Sequence, residues 1–335
     1  MVTGQGTSLQ IGKESTWGTA VTPSTEINYT SENFRLVVDR TEEDSLLGAA
    51  TARDMDIQKK STEFDFSVVA RPENIGLLLA LVLGAEATPA AGTQSGVYSH
   101  AFTPLASSVN ASLPKFTAVV DRHVAVKAYI GSKMESMKIS CKQGDYMRID
   151  FTGKGKDEVA GTKAAGLSIP GLKAFRFAGG KVSFDGTEFG DVTGIEFDYS
   201  NALDDGEQTT SSGYYGTEPE PQKREIGVSI ETFFNTAANT VRESKYKTEN
   251  KVAVVLKFES PSLAYDADSD GEPDSGDIPY SIEISMPLVV INSCDPAVTG
   301  PEKLRLTIGG VATESASESA VTITLVDKKS TKYLA

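Results

Sequence analysis

At 335 residues, with 39% hydrophobic and 23% charged residues, the chain has the composition of a folded globular protein and the length of two domains of about 150 residues each. Its net charge of -14 argues against wrapping nucleic acid, because phosphate binding needs clustered Lys and Arg that release counterions; a sleeve that DNA slides past remains compatible with it. The most apolar run, Ile75 to Leu83, is about half a membrane span, Met1 to Ser15 has no apolar secretory core, and the two cysteines, Cys141 and Cys294, are expected to stay reduced.

Alternation of period two dominates the chain and predicts half-buried strands. In the first half Phe34, Leu36 and Val38 alternate with Arg35 and Asp39, and Phe64, Phe66 and Val68 with Asp65 and Ser67. Met137, Ile139 and Cys141 then alternate with Lys138 and Lys142, and Met147, Ile149 and Phe151 with Arg148 and Asp150, with Gln143-Gly144-Asp145 as the turn between them. The second half repeats the pattern: Ile195, Phe197 and Tyr199 with Glu196 and Asp198; Ile226, Val228 and Ile230 with Ser229 and Glu231; Leu304, Leu306 and Ile308 with Lys303 and Arg305; Val321, Ile323 and Leu325 with Thr322 and Thr324. The spacing from Phe34 to Ile195 and that from Phe64 to Ile226 agree within one residue.

Between the first two strands of each half lie long segments, Thr41 to Glu63 and Ala202 to Glu225, far beyond the two to five residues of an ordinary hairpin loop, and these are expected to be paired arms. A short helix is expected after each second strand, over Pro72 to Leu83 and Phe234 to Lys245; Pro72 suits a first turn and Gly84 an end. Matching order, arm length and helix position point to an internal duplication: a mainly β protein with domains at 1–153 and 174–335, joined by a Gly-, Ala- and Lys-rich linker at 154–173.

Chemistry-bearing motifs are sparse. His100 and His123 lie in no metalloprotease or triad signature, the Gly179-Gly180 pair lacks the spacing of a phosphate loop, and Trp17 reads as a buried anchor. No nucleophile and base pair stands out, so catalysis is not expected. The exception is Asp266, Asp268 and Asp270 with Gly271, followed by Asp274 and Asp277, which has the spacing of a calcium loop. Position twelve is Asp rather than Glu, and Pro273 stands at position eight, so a solvated acidic loop tip remains the open alternative. No other cofactor is expected.

The run Ile11-Gly12-Lys13-Glu14-Ser15-Thr16-Trp17-Gly18-Thr19-Ala20-Val21-Thr22-Pro23 resembles the opening of the tail tube protein family of long-tailed (siphovirus-like) bacteriophages. Tyr98 to Phe102, Gly131 to Ser140 and Gly194 to Leu203 are similar to later pieces of the same family, in the same order. The resemblance implies two tandem tail-tube-type β-sandwich or barrel domains, each with a short helix and a long hairpin arm. Their inner sheets would join those of neighbouring subunits into stacked rings that form a conduit for DNA ejection.

On that reading the polar faces of the alternating strands line the lumen, and the candidate lumen-facing residues are Arg35, Asp39, Asp65, Lys138, Arg148, Asp150, Glu196, Asp198, Glu231, Lys303 and Arg305. DNA would pass without specific binding. The expected partners are copies of the chain itself, as a trimeric ring with pseudo-sixfold symmetry, together with tape measure, tail terminator and baseplate proteins, and no membrane. The expected location is the virion tail, after assembly in the host cytoplasm; tail-like bacteriocins and gene-transfer particles would use the same physics. The competing class is a calcium-dependent carbohydrate-binding or adhesion β-sandwich module.

Overall fold

Nearly every alternating segment is a strand. The computed structural model describes residues 4–42, 55–106, 112–169, 171–248, 250–296, 298, 303–315 and 317–334. The first half contains β1 (Ser8–Glu14), β2 (Thr25–Ile27), β3 (Tyr29–Glu42), β4 (Met55–Val69), α1 (Pro72–Leu83), β5 (Gly84–Glu86), β6 (Ala90–Ala91), β7 (Tyr98–Pro104), β8 (Lys115–Asp121), β9 (Val126–Lys142), β10 (Arg148–Gly155) and β11 (Asp157–Ala160). The second contains β12 (Gly180–Phe184), β13 (Thr187–Glu188), β14 (Val192–Ser200), β15 (Glu225–Phe233), α2 (Thr236–Val241), β16 (Val252–Tyr265), β17 (Ile278–Ser293), β18 (Arg305–Ala312) and β19 (Thr322–Asp327).

One antiparallel sheet runs through both halves in the order β3-β4-β10-β9-β14-β15-β18-β17. The first four strands and the last four have the same internal connectivity, and β9 pairs directly with β14 at the junction, from Lys142 opposite Gly194 to Ser136 opposite Ser200. Two long strands serve two layers. The N-terminal part of β9 pairs with β8 and β11, and that of β17 with β16 and β19, so each half folds a second layer over the apolar face of the shared sheet. Phe34 stacks on Phe64 at 4.8 Å between ring centres, and Phe66 on Phe151 at 5.2 Å; all four are buried in the space between the layers. Stacked aromatic pairs of this kind add to the stabilisation their burial already gives.

Helix α1 starts at Pro72, where the missing N–H costs nothing, and the backbone N–H of Arg71 is taken up by the Asn74 side chain at 3.2 Å. It ends at Gly84, whose φ of 87° is a left-handed cap that favours glycine. Leu77 to Leu83 are all buried, as expected of a helix that is apolar on every side. The C-terminal segment straps over it. The Tyr333 ring lies 2.1 Å from where a Cβ would stand on Gly76, so only glycine admits that contact.

The structure differs from the sequence expectations at three places. First, the counterpart of β9 is β17, not Leu304 to Ile308; β18 is the counterpart of β10, and Ile323 and Leu325 lie in β19, which pairs with β17 and β7 as β11 pairs with β9. The alternation of Val252 to Phe258 and of Tyr280 to Met286 carries the signal for β16 and β17, strands outside the expected set.

Second, the hydrogen-bond register equates Phe64 with Val228 and Phe34 with Phe197, since Phe64 and Val228 each sit between one of these residues and a glycine, Gly153 or Gly310. The match of Phe64 to Ile226 is therefore offset by two residues, which preserves the face. Third, strand β11 lies within the 154–173 segment. Its Asp157-Glu158-Val159-Ala160 sequence has no clear alternation.

Candidate functional site

The polar face of the continuous sheet is a ladder of opposite charges. Across the β9–β14 junction Lys138 reaches Glu196 at 3.2 Å and Asp198 at 3.8 Å, while Lys142 reaches Glu196 at 3.7 Å and Glu231 at 3.3 Å. The hydrogen bond it donates to Glu196 holds the Lys138 ammonium above its ordinary value, and burial pushes the Asp198 carboxyl up against the pull of Lys138. Further along, Asp150 accepts from Ser67, Asp65 accepts from Asn33 at 2.8 Å, and Arg35 pairs with Glu63 at 2.5 Å. Arg148 lies 3.7 Å from Asp145.

Alternation places the strand members of this set on one face, and all of the candidate lumen residues are exposed or half-exposed. Two groups stand apart from the central ladder. Asp39 is opposite Lys59 on the hairpin that extends beyond the sheet body. Lys303 and Arg305 both cap the Phe233 ring, at 5.2 and 5.3 Å, at the far side of the second half. Most cations on this face therefore already face an anion or an aromatic ring. Such a surface has little net attraction for phosphate.

The two arms differ. The first is a paired hairpin as far as Glu42 opposite Met55, and its tip, 43–54, lies outside the described residues. The second is no free hairpin: from Ala202 to Arg224 it is a loop with bridges at Leu203–Pro221 and Gln208–Gly216, folded back onto the first half. Lys133, with no exposed side-chain surface, anchors it through its ammonium to Pro219 O (2.7 Å), Ser112 Oγ (2.9 Å) and Glu218 (2.8 Å). Burial pulls Lys133 below the usual lysine value against its hydrogen bond to Glu218; burial raises Glu218, but the hydrogen bonds from Lys133 and Ser112 and the charges of Lys133 and Lys115 together hold that carboxyl low. A buried lysine is retained only when its charge is met this closely.

Asp266, Asp268 and Asp270 do converge, with carboxylate oxygens within 4.8 Å of one another, whereas Asp274 and Asp277 are not in that group. Asp277 instead accepts backbone N–H groups from Ala267 (2.8 Å) and Asp274 (3.0 Å), and Asp266 accepts those of Ser269 and Gly271 at 2.7 and 2.9 Å. Three close carboxylates are half of what a calcium loop supplies, and the residue at position twelve, which should bind bidentately, here ties the loop shut.

Trp17 is half-buried rather than fully buried: its Nε1 donates to Gly131 O at 2.9 Å, and Lys156 sits over the ring at 4.8 Å. Cys141 and Cys294 are buried free thiols, pushed up by burial to about 12 and about 11. His123 is exposed, whereas His100 is fully buried between Glu86 and Asp327, a charged cluster that sequence spacing gave no sign of.

No helix among the described residues is long and apolar enough to cross a membrane. Compared with known proteins, residues 4–312 match the family model described as phage tail tube protein. No curated protein matches the chain.

Proposed function

From the premise that this chain belongs to the phage tail tube protein family, structural proteins of the virion tail, we propose that it self-assembles as a trimeric ring of pseudo-sixfold symmetry, and that rings stack into the conduit for DNA ejection. The observation that carries this reading is the β9–β14 junction, where the last strand of one four-stranded set pairs with the first strand of the next. The register places Ser293, the last residue of β17, where Ser136 stands at the junction, so the same step taken between chains joins the chain from the end of β17 onward in one copy to the β3 edge of its neighbour. Each half, 1–153 and 174–335, then acts as one tail-tube-type domain.

Three copies place about 24 strands around the wall, and closing the ring leaves no lateral edge exposed. A wide bore needs such a number, since membrane barrels leave an aqueous channel at about 16 strands. The ion-paired face turns to the lumen, and DNA meets a weakly repulsive wall with no specific binding. Tape measure, terminator and baseplate proteins are the partners at the ends and inside of such a tube.

The mass of the smallest assembled particle in solution, read beside negative-stain images, tests this. Rings of three chains that stack into tubes are expected. A protein that stays monomeric at high concentration, or rings of six full-length chains, would overturn it.

A further inference from the structure

The second arm shows where an arm docks in this fold. Besides its anchor on Lys133, it lies across the start of β4 and the end of β10: Lys59 Nζ donates to Asp205 O (2.7 Å) and Gly206 O (3.0 Å), Lys60 N to Tyr214 O (2.8 Å), and Lys154 Nζ to Leu203 O (3.0 Å) and Asp205 Oδ1 (2.7 Å). The register that equates Phe64 with Val228 and Gly153 with Gly310 carries this surface into the second half residue by residue. Gln58-Lys59-Lys60 becomes Gln222-Lys223-Arg224, and the facing pair Lys154–Lys133 becomes the facing pair Val311–Val290.

In the first half this surface is covered by the arm of the half that follows it. In the second half the positions of Gln58, Lys59, Lys60 and Lys154 line a groove of about 920 Å3, with Lys223, Arg224 and Glu225, Val311, Ala312 and Glu314 in its walls and Lys138 and Asp198 of the ladder also bordering it. Val311 is 42% exposed there, one of the large apolar side chains left on the surface.

We propose that this groove receives the first arm, Thr41 to Glu63, of a second copy of the chain. The inference rests on the ring reading, because only another chain can supply the half that follows the second half. The two surfaces differ in chemistry, and the two arms differ to match. Where the first-half site presents Lys133 and Lys154, the docked arm offers the Asp205 carboxylate and backbone carbonyls. Where the second-half site has Val311 and Ala312 beside Lys223 and Arg224, the first arm carries Leu46-Leu47, at the repeat position of Thr209-Thr210, and an acidic run Glu42-Glu43-Asp44, with Glu42 at the position of Asp205. Apolar floor meets apolar side chains, and Lys223 and Arg224 meet carboxylates.

The test mixes two chains, one carrying Glu42→Cys and the other Val311→Cys, under assembly conditions with a short bis-maleimide; Cys141 and Cys294 are buried and shielded from the reagent in the folded chain. A covalent two-chain product is expected from the mixture and from neither chain alone, and a chain with both substitutions should close into a three-chain product. Rings or tubes that form without any such product would overturn the groove assignment while leaving the ring reading intact. Absence of rings and tubes altogether would overturn the ring reading, and this inference with it. A charge swap supplies an independent arm: Lys223→Glu and Glu42→Lys should each impair assembly at least tenfold in critical concentration, and the two in one chain should restore it. Unimpaired single variants, or a double variant no better than either, would overturn the assignment.

Discussion

His100 has no exposed side-chain surface and lies between two carboxylates, with Nδ1 2.8 Å from Glu86 and Nε2 3.1 Å from Asp327 and 2.8 Å from Lys329 O. Burial works against its charge, but the hydrogen bonds to Asp327 and Glu86 outweigh it and raise the imidazole to about 9. Tyr333 completes the cluster by donating its hydroxyl to Asp327 and its backbone N–H to Glu86 at 2.9 Å, which ties the C-terminal segment to β5 and β19 while its ring packs on Gly76 of helix α1. An unfolded histidine titrates near 6.5, so the folded state holds this proton more tightly. The resulting stabilisation is whole below about pH 6.5 and is lost as pH rises through about 9. Melting temperature should therefore fall between pH 7 and pH 9.5, and His100→Gln should be less stable at pH 6.5 and flatter across that window. A parallel profile for both proteins would contradict the assignment. A second residue-scale prediction concerns Gly153, where an added Cβ would lie 2.2 Å from both Lys133 O and the Phe64 ring. Gly153→Ala should cost about 1–3 kcal/mol in denaturant unfolding, the usual range for forced overpacking.

Among the elements, the second arm depends on one buried ammonium. Lys133→Ala leaves Glu218 and the Pro219 carbonyl without their closest partner and should destabilise the chain by about 3–5 kcal/mol. Hydrogen exchange should rise first in 203–221, and an unchanged exchange pattern there would contradict the docking. Strands β3, β4, β10, β14 and β15 were legible from alternation alone, because each buries one face and leaves the other wet. Helix α1 was legible from Pro72 and Gly84. The fold-back of the second arm was not, since its contacts reach Lys59, Lys133 and Lys154, all distant in sequence, and polar loop composition does not say what a loop lies on. The polar ladder was legible as a set of residues. Its pairing across β9 and β14 was not, because alternation fixes a face and says nothing about which strand is the neighbour.

At the scale of the molecule, two four-stranded sets joined edge to edge make a repeating unit with β3 and β17 as its outer strands, and Ser293 at the end of β17 holds the place that Ser136 has at the internal junction. In the ring proposed above, the charged ladder is the inner wall. Glu196→Lys and Asp198→Lys together convert the centre of that ladder into a cationic patch around Lys138 and Lys142. Particles built from this variant should assemble and eject DNA more slowly, with a delay that shortens as salt screens the phosphate attraction. Unchanged ejection would place this face elsewhere. The most direct test of the whole account is a cryo-electron microscopy reconstruction of the assembled tube. The account predicts three chains per ring, both halves lining the bore, and the chain from Ser293 onward, at the end of β17, hydrogen-bonded to β3 of the next; six full-length chains per ring, with the second half outside the wall, would contradict it.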